Sequence, residues 1–248
     1  MSGHSKWATI KHKKAAADSK RGKIFTKLIR EITVAAKNAG GNPDTNPRLR
    51  VAISTARENN MPQENVDRAI KKGTGELPGT SYEEVNYEGY GPQGVAVFVQ
   101  CLTDNKNRTA SEIRSSFDKK GGNMAGAGSV AWIFEKKGLF VIDTSVVAED
   151  KLMDVVLAAG AEDLTTEGAA YEVTCAQHDF EGVKKALTEH KVSCRSAEIT
   201  MLPKNLVKVS AEHAKQVLSL IEGLEDHDDV QNVYTNVDIP DEVMKEVA

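Results

Sequence analysis

Asn105, Asn107 and Arg108 stand just ahead of Thr109-Ala110-Ser111-Glu112, a capping-box pattern that opens a helix. Free backbone N–H groups at such a helix start, joined by amides and a guanidinium, converge on an anion, so these three residues form a candidate second anion site. A plain network of cap and turn hydrogen bonds is the competing reading. Other suggestive spacings fail. Gly121 and Gly126 have the glycine spacing of a phosphate-binding loop, but Ala127 follows where a lysine is needed. Cys101, Cys175 and Cys194 form no C-x-x-C pair, and burial in a strand is the expected fate of Cys101. His4 and His12 are too far apart to be a helical ligand pair. Glu225-Asp226-His227-Asp228-Asp229 lacks a calcium-loop pattern and reads as a solvated turn. The expectation is no catalytic residue, no metal and no cofactor. The largest remaining set is basic: Lys6, Lys11, Lys13 and Lys14 around Trp7, then Lys20, Arg21, Lys23, Lys27 and Arg30. These are the candidate nucleic-acid contacts.

The wider composition supports that choice. Of the 32 Lys and Arg and 36 Asp and Glu in the 248 residues, residues 1–80 hold 16 and 7, which leaves 16 and 29 to the rest. A basic head on an acidic body is an electrostatic footprint for a polyanion that meets the head first. The competing reading is a solvated, Lys-rich surface. With 40% hydrophobic and 27% charged residues the chain has the composition of an ordinary globular protein, and no apolar run approaches the ~18 residues of a membrane span. Three sparse Cys argue against a disulfide framework and for a reducing, cytoplasmic setting. The Lys-rich start lacks an apolar core and is not a secretory signal, so the Asn107-Arg108-Thr109 sequon carries no glycosylation meaning.

The elements that must position the basic set follow from periodicity. Residues 1–19 show none and read as an arm. From about residue 20, Ile24, Phe25, Leu28, Ile29, Ile32, Ala35, Ala36 and Ala39 share one side of a helix. Lys20, Lys23, Lys27, Arg30 and Lys37 form an outward basic stripe on the other. Gly40-Gly41-Asn42-Pro43 ends this helix. Asn46 caps a second helix with Pro47 at its first position, and a third runs from near Pro62 to Gly73. After a linker at 73–80 the period shifts to two. Residues 81–129 read as strand, strand, helix and a small-residue loop. Residues 130–203 give the βαββαβ order of a ferredoxin-like unit, and residues 204–248 give strand, helix, strand. The expected architecture is α+β: an arm and three-helix domain over 1–80, then two ferredoxin-like α/β domains. One of these is discontinuous (81–129 plus 204–248), with 130–203 inserted in it.

Several long motifs then occur in order: Gly3-His4-Ser5-Lys6-Trp7, the stretch 18–37 containing Phe25-Thr26-Lys27-Leu28, Asn60-Met61-Pro62, and Arg68-Ala69-Ile70-Lys71-Lys72-Gly73. Tyr87-Glu88-Gly89-Tyr90-Gly91-Pro92, Leu102-Thr103-Asp104-Asn105, Asn107-Arg108-Thr109 and Gly128-Ser129-Val130 continue the series. Across essentially the whole chain the sequence resembles the YebC family. The resemblance implies three domains and no enzyme activity. Bacterial members are described as DNA-binding transcriptional regulators, and mitochondrial relatives look like translational activators acting at the ribosome. With no presequence ahead of the Gly3 motif, a bacterial-type cytoplasmic member is expected. Met124-Ala125-Gly126 departs from the family pattern of a leucine followed directly by glycine.

The resulting expectation is a non-enzymatic, nucleic-acid-binding regulator of gene expression, taken first as a DNA-binding transcriptional regulator. One alternative is a ribosome-associated translation factor gripping rRNA or tRNA with the same residues. A second is a protein–protein interaction module whose lysines only solubilise it. Tyr82, Tyr87 and Tyr90 could stack RNA bases, but no aromatic RNP1 run exists and half-buried strand positions suit them better.

Overall fold

A computed structural model of the chain describes residues 18–239 and Val243. The expected contacts Lys6, Trp7, Lys11, Lys13 and Lys14 lie outside the described residues. The architecture is α+β, with three N-terminal helices followed by α/β assemblies, one of them discontinuous. Its described residues divide into two compact units, 18–129 with 215–233, and 130–214 with 234–239.

In the first unit, α1 (Asp18–Ala39) turns its apolar side onto α2 (Pro47–Glu58) and α3 (Gln63–Thr74), burying Ile32 and Ala35 with Leu49, Ile53, Met61 and Val66. Asn46 does more than cap α2. Its Oδ1 accepts from the Leu49 N–H at 3.1 Å, and its Nδ2 donates to the Ala35 and Gly40 carbonyls at 2.8 Å each, so one side chain closes α1 and opens α2. The third helix does not stop at Gly73 as expected. It runs on to Thr74, and Gly75 at φ +83° supplies the left-handed stop. Gly73 serves a close approach instead: a Cβ there would lie 2.3 Å from the Thr33 carbonyl and 2.8 Å from the Ala36 Cβ.

The same unit contains a four-stranded sheet ordered β3-β1-β2-β9. Strands β1 (Glu83–Tyr90) and β2 (Ala96–Thr103) form its central antiparallel hairpin, β3 (Asn123–Ala125) pairs with β1, and β9 (Val230–Thr235) returns beside β2 from far along the chain. Strand β2 is almost wholly buried, which its unbroken aliphatic run requires. Lys120, the C-terminal cap of helix α4 (Lys106–Lys119), donates from its Nζ to the Ser219 hydroxyl of the helix Ala211–Glu225 at 2.9 Å. Helix α4 opens four residues earlier than the Thr109 capping box suggests. Its cap is Asn105, whose Oδ1 accepts from the Arg108 N–H at 3.1 Å, which frees the Thr109 hydroxyl for another partner.

The second unit holds the βαββαβ series: β4 (Phe134–Asp143), α5 (Glu149–Ala158), β5 (Ala161–Glu167), β6 (Ala170–Ala176), α6 (Phe180–Glu189) and β7 (Ser196–Pro203). Its sheet is ordered β5-β6-β4-β7 with every pairing antiparallel, the ferredoxin-like arrangement. Phe140 of β4 stacks on Phe180 of α6 at 4.8 Å between centroids. After β8 (Val207–Lys208) comes α7 (Ala211–Glu225), and β10 (Val237–Asp238) pairs in parallel with β8 rather than joining either larger sheet.

Candidate nucleic-acid interface

The basic stripe of α1 is built as its spacing requires, but its described side chains are engaged by other parts of the chain. Lys23, Lys27 and Arg30 lie three and four residues apart and all reach one turn, the acidic 225–229 segment between α7 and β9. Lys23 Nζ donates to the Asp226 carboxylate at 3.1 Å and to the Asp226 carbonyl at 3.2 Å. Lys27 Nζ donates to the Glu225 carbonyl at 2.7 Å. Arg30 Nη1 donates to the Asp228 carbonyl and, at 2.6 Å, to the Asp229 carboxylate. The Arg30 guanidinium also lies over the Tyr82 ring, 5.4 Å from its centroid. Lys37 completes the stripe by donating to the Ser81 hydroxyl at 2.8 Å. Lys20 and Arg21 fall on the first turn of α1, and their side chains lie outside the described residues.

The turn is therefore not simply solvated, which corrects the reading of 225–229 taken from its composition. Asp229 is buried, its side chain 3% exposed. Its Oδ2 accepts from the Thr109 hydroxyl at 2.6 Å, Arg108 Nη2 at 2.9 Å and the Thr103 hydroxyl at 3.1 Å. Burial pushes this carboxyl up, but the hydrogen bonds from Thr109 and Arg108, the charge of Arg30 and the Thr103 hydroxyl outweigh it, and the net position is below the usual carboxylate range. The Asp229 N–H donates to His227 Nδ1 at 3.1 Å, which leaves His227 Nε2 to donate to Glu112 at 2.7 Å. The Leu102 N–H donates to the Asp229 carbonyl at 2.8 Å, fixing the turn to the end of β2.

The candidate second anion site is thus joined to the first. Arg108, besides its bond to Asp229, donates to Asp104 at 2.7 Å, and these bonds hold its guanidinium above the ordinary arginine range. Asn105 is the helix cap, and Asn107 is exposed and outside the network. Arg30 and Arg108, assigned to separate anion sites on sequence spacing, converge on one carboxylate. Asp229 was not legible as their partner because it lies some 120 and 200 residues away in the chain. Beside this junction lies a groove of about 890 Å³, lined by Lys23, Arg30, Arg108, Ser111, Ser115 and Lys119 and by residues of the turn.

A second junction holds α1 near its C-terminal end. Arg48 of α2 forks onto Glu31, Nε to Oε1 at 2.6 Å and Nη2 to Oε2 at 3.0 Å, while its Nη1 reaches Glu84 of β1 at 2.6 Å. Asn38, the main amide near that end of the stripe, donates to the same Glu84 at 3.1 Å. By contrast Arg57, Arg68, Lys71 and Lys72 on α2 and α3 are exposed and make no ion pair among the described residues.

Burial pushes the Cys101 thiol up to about 12, aided by the charge of Asp229, so it is no ready nucleophile. Among the described residues no group of three or more His, Cys, Asp or Glu could hold a metal ion, and no helix is long and apolar enough to cross a membrane.

Comparison with known proteins completes the description. Residues 5–76 match the model of the TACO1/YebC protein N-terminal domain, and residues 82–237 match that of the TACO1/YebC second and third domain. A relative from Desulfatibacillum aliphaticivorans, named a probable transcriptional regulatory protein, is 56% identical over 99% of this chain and 100% of its own length. One from Dictyoglomus turgidum with the same name is 57% identical over the full length of both. The crystal structure of a conserved hypothetical protein, Aq1575 of Aquifex aeolicus, is similar with a TM-score of 0.79 at 46% identity, covering 90% of this chain and 92% of that one.

Proposed function

The chain belongs to the TACO1/YebC family, and from that premise we propose that it is a non-enzymatic, cytoplasmic regulator of gene expression that binds nucleic acid through its basic head, as a DNA-binding transcriptional regulator. The observation that carries this reading is the division of charge: residues 1–80 hold 16 Lys and Arg against 7 Asp and Glu, and the remainder is strongly acidic. The contacts are Lys6, Trp7, Lys11, Lys13, Lys14, Lys20, Arg21, Lys23, Lys27 and Arg30, with Arg108 and Asn105 at the second anion site. The full-length relatives named as transcriptional regulatory proteins agree with a role in gene expression.

A second reading, a ribosome-associated translation factor on rRNA or tRNA, is favoured by one feature. The stripe of α1 presents ammonium and guanidinium groups, and Asn38, the amide most able to read a base edge, is bonded to Glu84. Such a surface grips phosphates without reading sequence.

Anisotropy titrations of labelled duplex DNA and rRNA fragments between about 50 and 200 mM salt test both readings. Log affinity falls linearly with log salt, and replacing Lys11, Lys13, Lys14 and Lys23 with Ala lowers the slope by about 0.7 to 0.9 per lost phosphate contact. An unchanged slope removes the arm from the interface. A wild-type chain with no salt-dependent affinity for any polynucleotide belongs instead to the protein-interaction class.

A further inference from the structure

We propose that the acidic 225–229 turn is a built-in competitor for phosphate, occupying the Lys23, Lys27 and Arg30 stripe of α1, and that a polyanion gains this stripe only by displacing the turn. The proposal rests on the nucleic-acid reading above and adds a gate to it.

The acceptors the turn offers are the kind a phosphate backbone offers: carboxylate oxygens from Asp226 and Asp229 and backbone carbonyl oxygens from Glu225 and Asp228. Three cations along one helix face use them, a spacing that matches a line of anions better than a single ion pair. The fit is incomplete. Arg30 Nε is buried and has no hydrogen-bond partner, so the turn satisfies only one edge of a guanidinium that a phosphate could engage through two.

Release is also inexpensive for the turn. The Lys23–Asp226 pair is solvent-exposed, at 46% and 72% for the two side chains, and pairs of that kind contribute little and are screened by salt. Asp229 keeps Thr103, Thr109 and Arg108 when Arg30 leaves, because all three belong to β2 and α4 rather than to α1. Asp229 therefore stays anchored to β2 and α4, while residues 225–228 lose their hold on α1 when Lys23, Lys27 and Arg30 change partner. The groove alongside carries Lys23, Arg30, Arg108 and Lys119 together with Asp104, Glu112 and the carboxylates of the turn, so a backbone has room to approach these cations once the turn's carboxylates are displaced.

The test uses the full chain with Asp226→Asn and Asp228→Asn, both exposed, against a control with Glu64→Gln and Asp67→Asn, an exposed acidic pair on α3. Both variants remove two negative charges, so general repulsion of phosphate is matched. For a random 20-base-pair duplex at about 0.1 M salt, the turn variant should bind about threefold tighter than the control, the effect of losing the weak Lys23–Asp226 ion pair and the neighbouring Asp228 charge. Hydrogen exchange of the amides at 225–228 should accelerate when the wild-type chain is saturated with duplex, as that part of the turn loosens from α1. Equal affinity of the two variants, or amides in the turn that slow or hold steady on saturation, overturns the gate while leaving nucleic-acid binding intact. A wild-type chain and turn variant that both lack salt-dependent affinity for duplex and for rRNA fragments overturn the gate and the function it rests on together.

Discussion

Asp229 is where the chemistry of this protein is most concentrated, because four side-chain donors from α1, β2 and α4 meet on a carboxylate that water scarcely reaches. A buried charge is tolerated only when paired and hydrogen-bonded, and breaking such a pair leaves the partner charge stranded. Asp229→Asn keeps the shape and removes the charge. Arg108 retains Asp104, but Arg30, 13% exposed, loses the one carboxylate it pairs with among the described residues. The expected cost is about 3 kcal/mol, read from the midpoint of urea unfolding at pH 7. The pH dependence has a definite sign. The folded-state carboxyl titrates below its ordinary value, so its contribution is complete above a pH of roughly 4 and is lost as pH falls through the depressed folded value. The Asp229→Asn variant should lose less stability than the wild type across that acid range. A variant with an unchanged midpoint and an unchanged acid limb would mean that the network contributes nothing net.

At the scale of elements, the three-helix head depends on one close approach. Gly73 lies in the last turn of α3, where glycine is an intrinsically poor choice, and Ala there would gain about 1 kcal/mol of helix propensity. The tertiary contact opposes that gain, since the new Cβ would meet the Thr33 carbonyl, backbone that cannot swing aside. Gly73→Ala should therefore destabilise the head by about 1 to 3 kcal/mol, measured by thermal melting, and a stabilised variant would refute the packing account. The element scale also shows which parts of the structure were legible in the sequence. The Asn46 cap, the amphipathic α1 and the βαββαβ order were legible because each is written in the spacing of residues near one another in the chain. Two glycine and cap assignments went astray for the opposite reason. Gly73 looks like a helix stop until Thr33 is seen beside it, and Thr109 looks like a cap until Asp229 is seen to use its hydroxyl. The pairing of the α1 stripe with 225–229 joins residues about 200 apart, and no periodicity encodes it.

For the molecule as a whole, on the nucleic-acid reading proposed above, the division of charge decides how a polyanion is met and how poorly its sequence is read. A head with an excess of 9 positive charges draws phosphate, and a remainder with an excess of 13 negative charges repels it, so a duplex is oriented before contact. Orientation carries no base information. A protein that reads duplex DNA generally places amides and guanidiniums against base edges from an element seated in the major groove. Here the described donors of the α1 stripe are occupied by carbonyls, carboxylates and a hydroxyl, and Asn38 is held by Glu84. Freeing them yields phosphate clamps rather than base readers. Specificity must then come from shape or from a further contact, which a large ribonucleoprotein could offer to the acidic part of the chain. Competition binding at near-physiological salt should accordingly find no DNA site preferred over scrambled duplex by as much as about a thousandfold, the lower end for specific regulators. Cosedimentation with ribosomes, lost when residues 1–19 are deleted, would tie that weak preference to the translation reading. A site that does reach a thousandfold would restore base-edge recognition, and with it the plain transcription-factor account, because phosphate contacts alone do not discriminate between sequences to that degree.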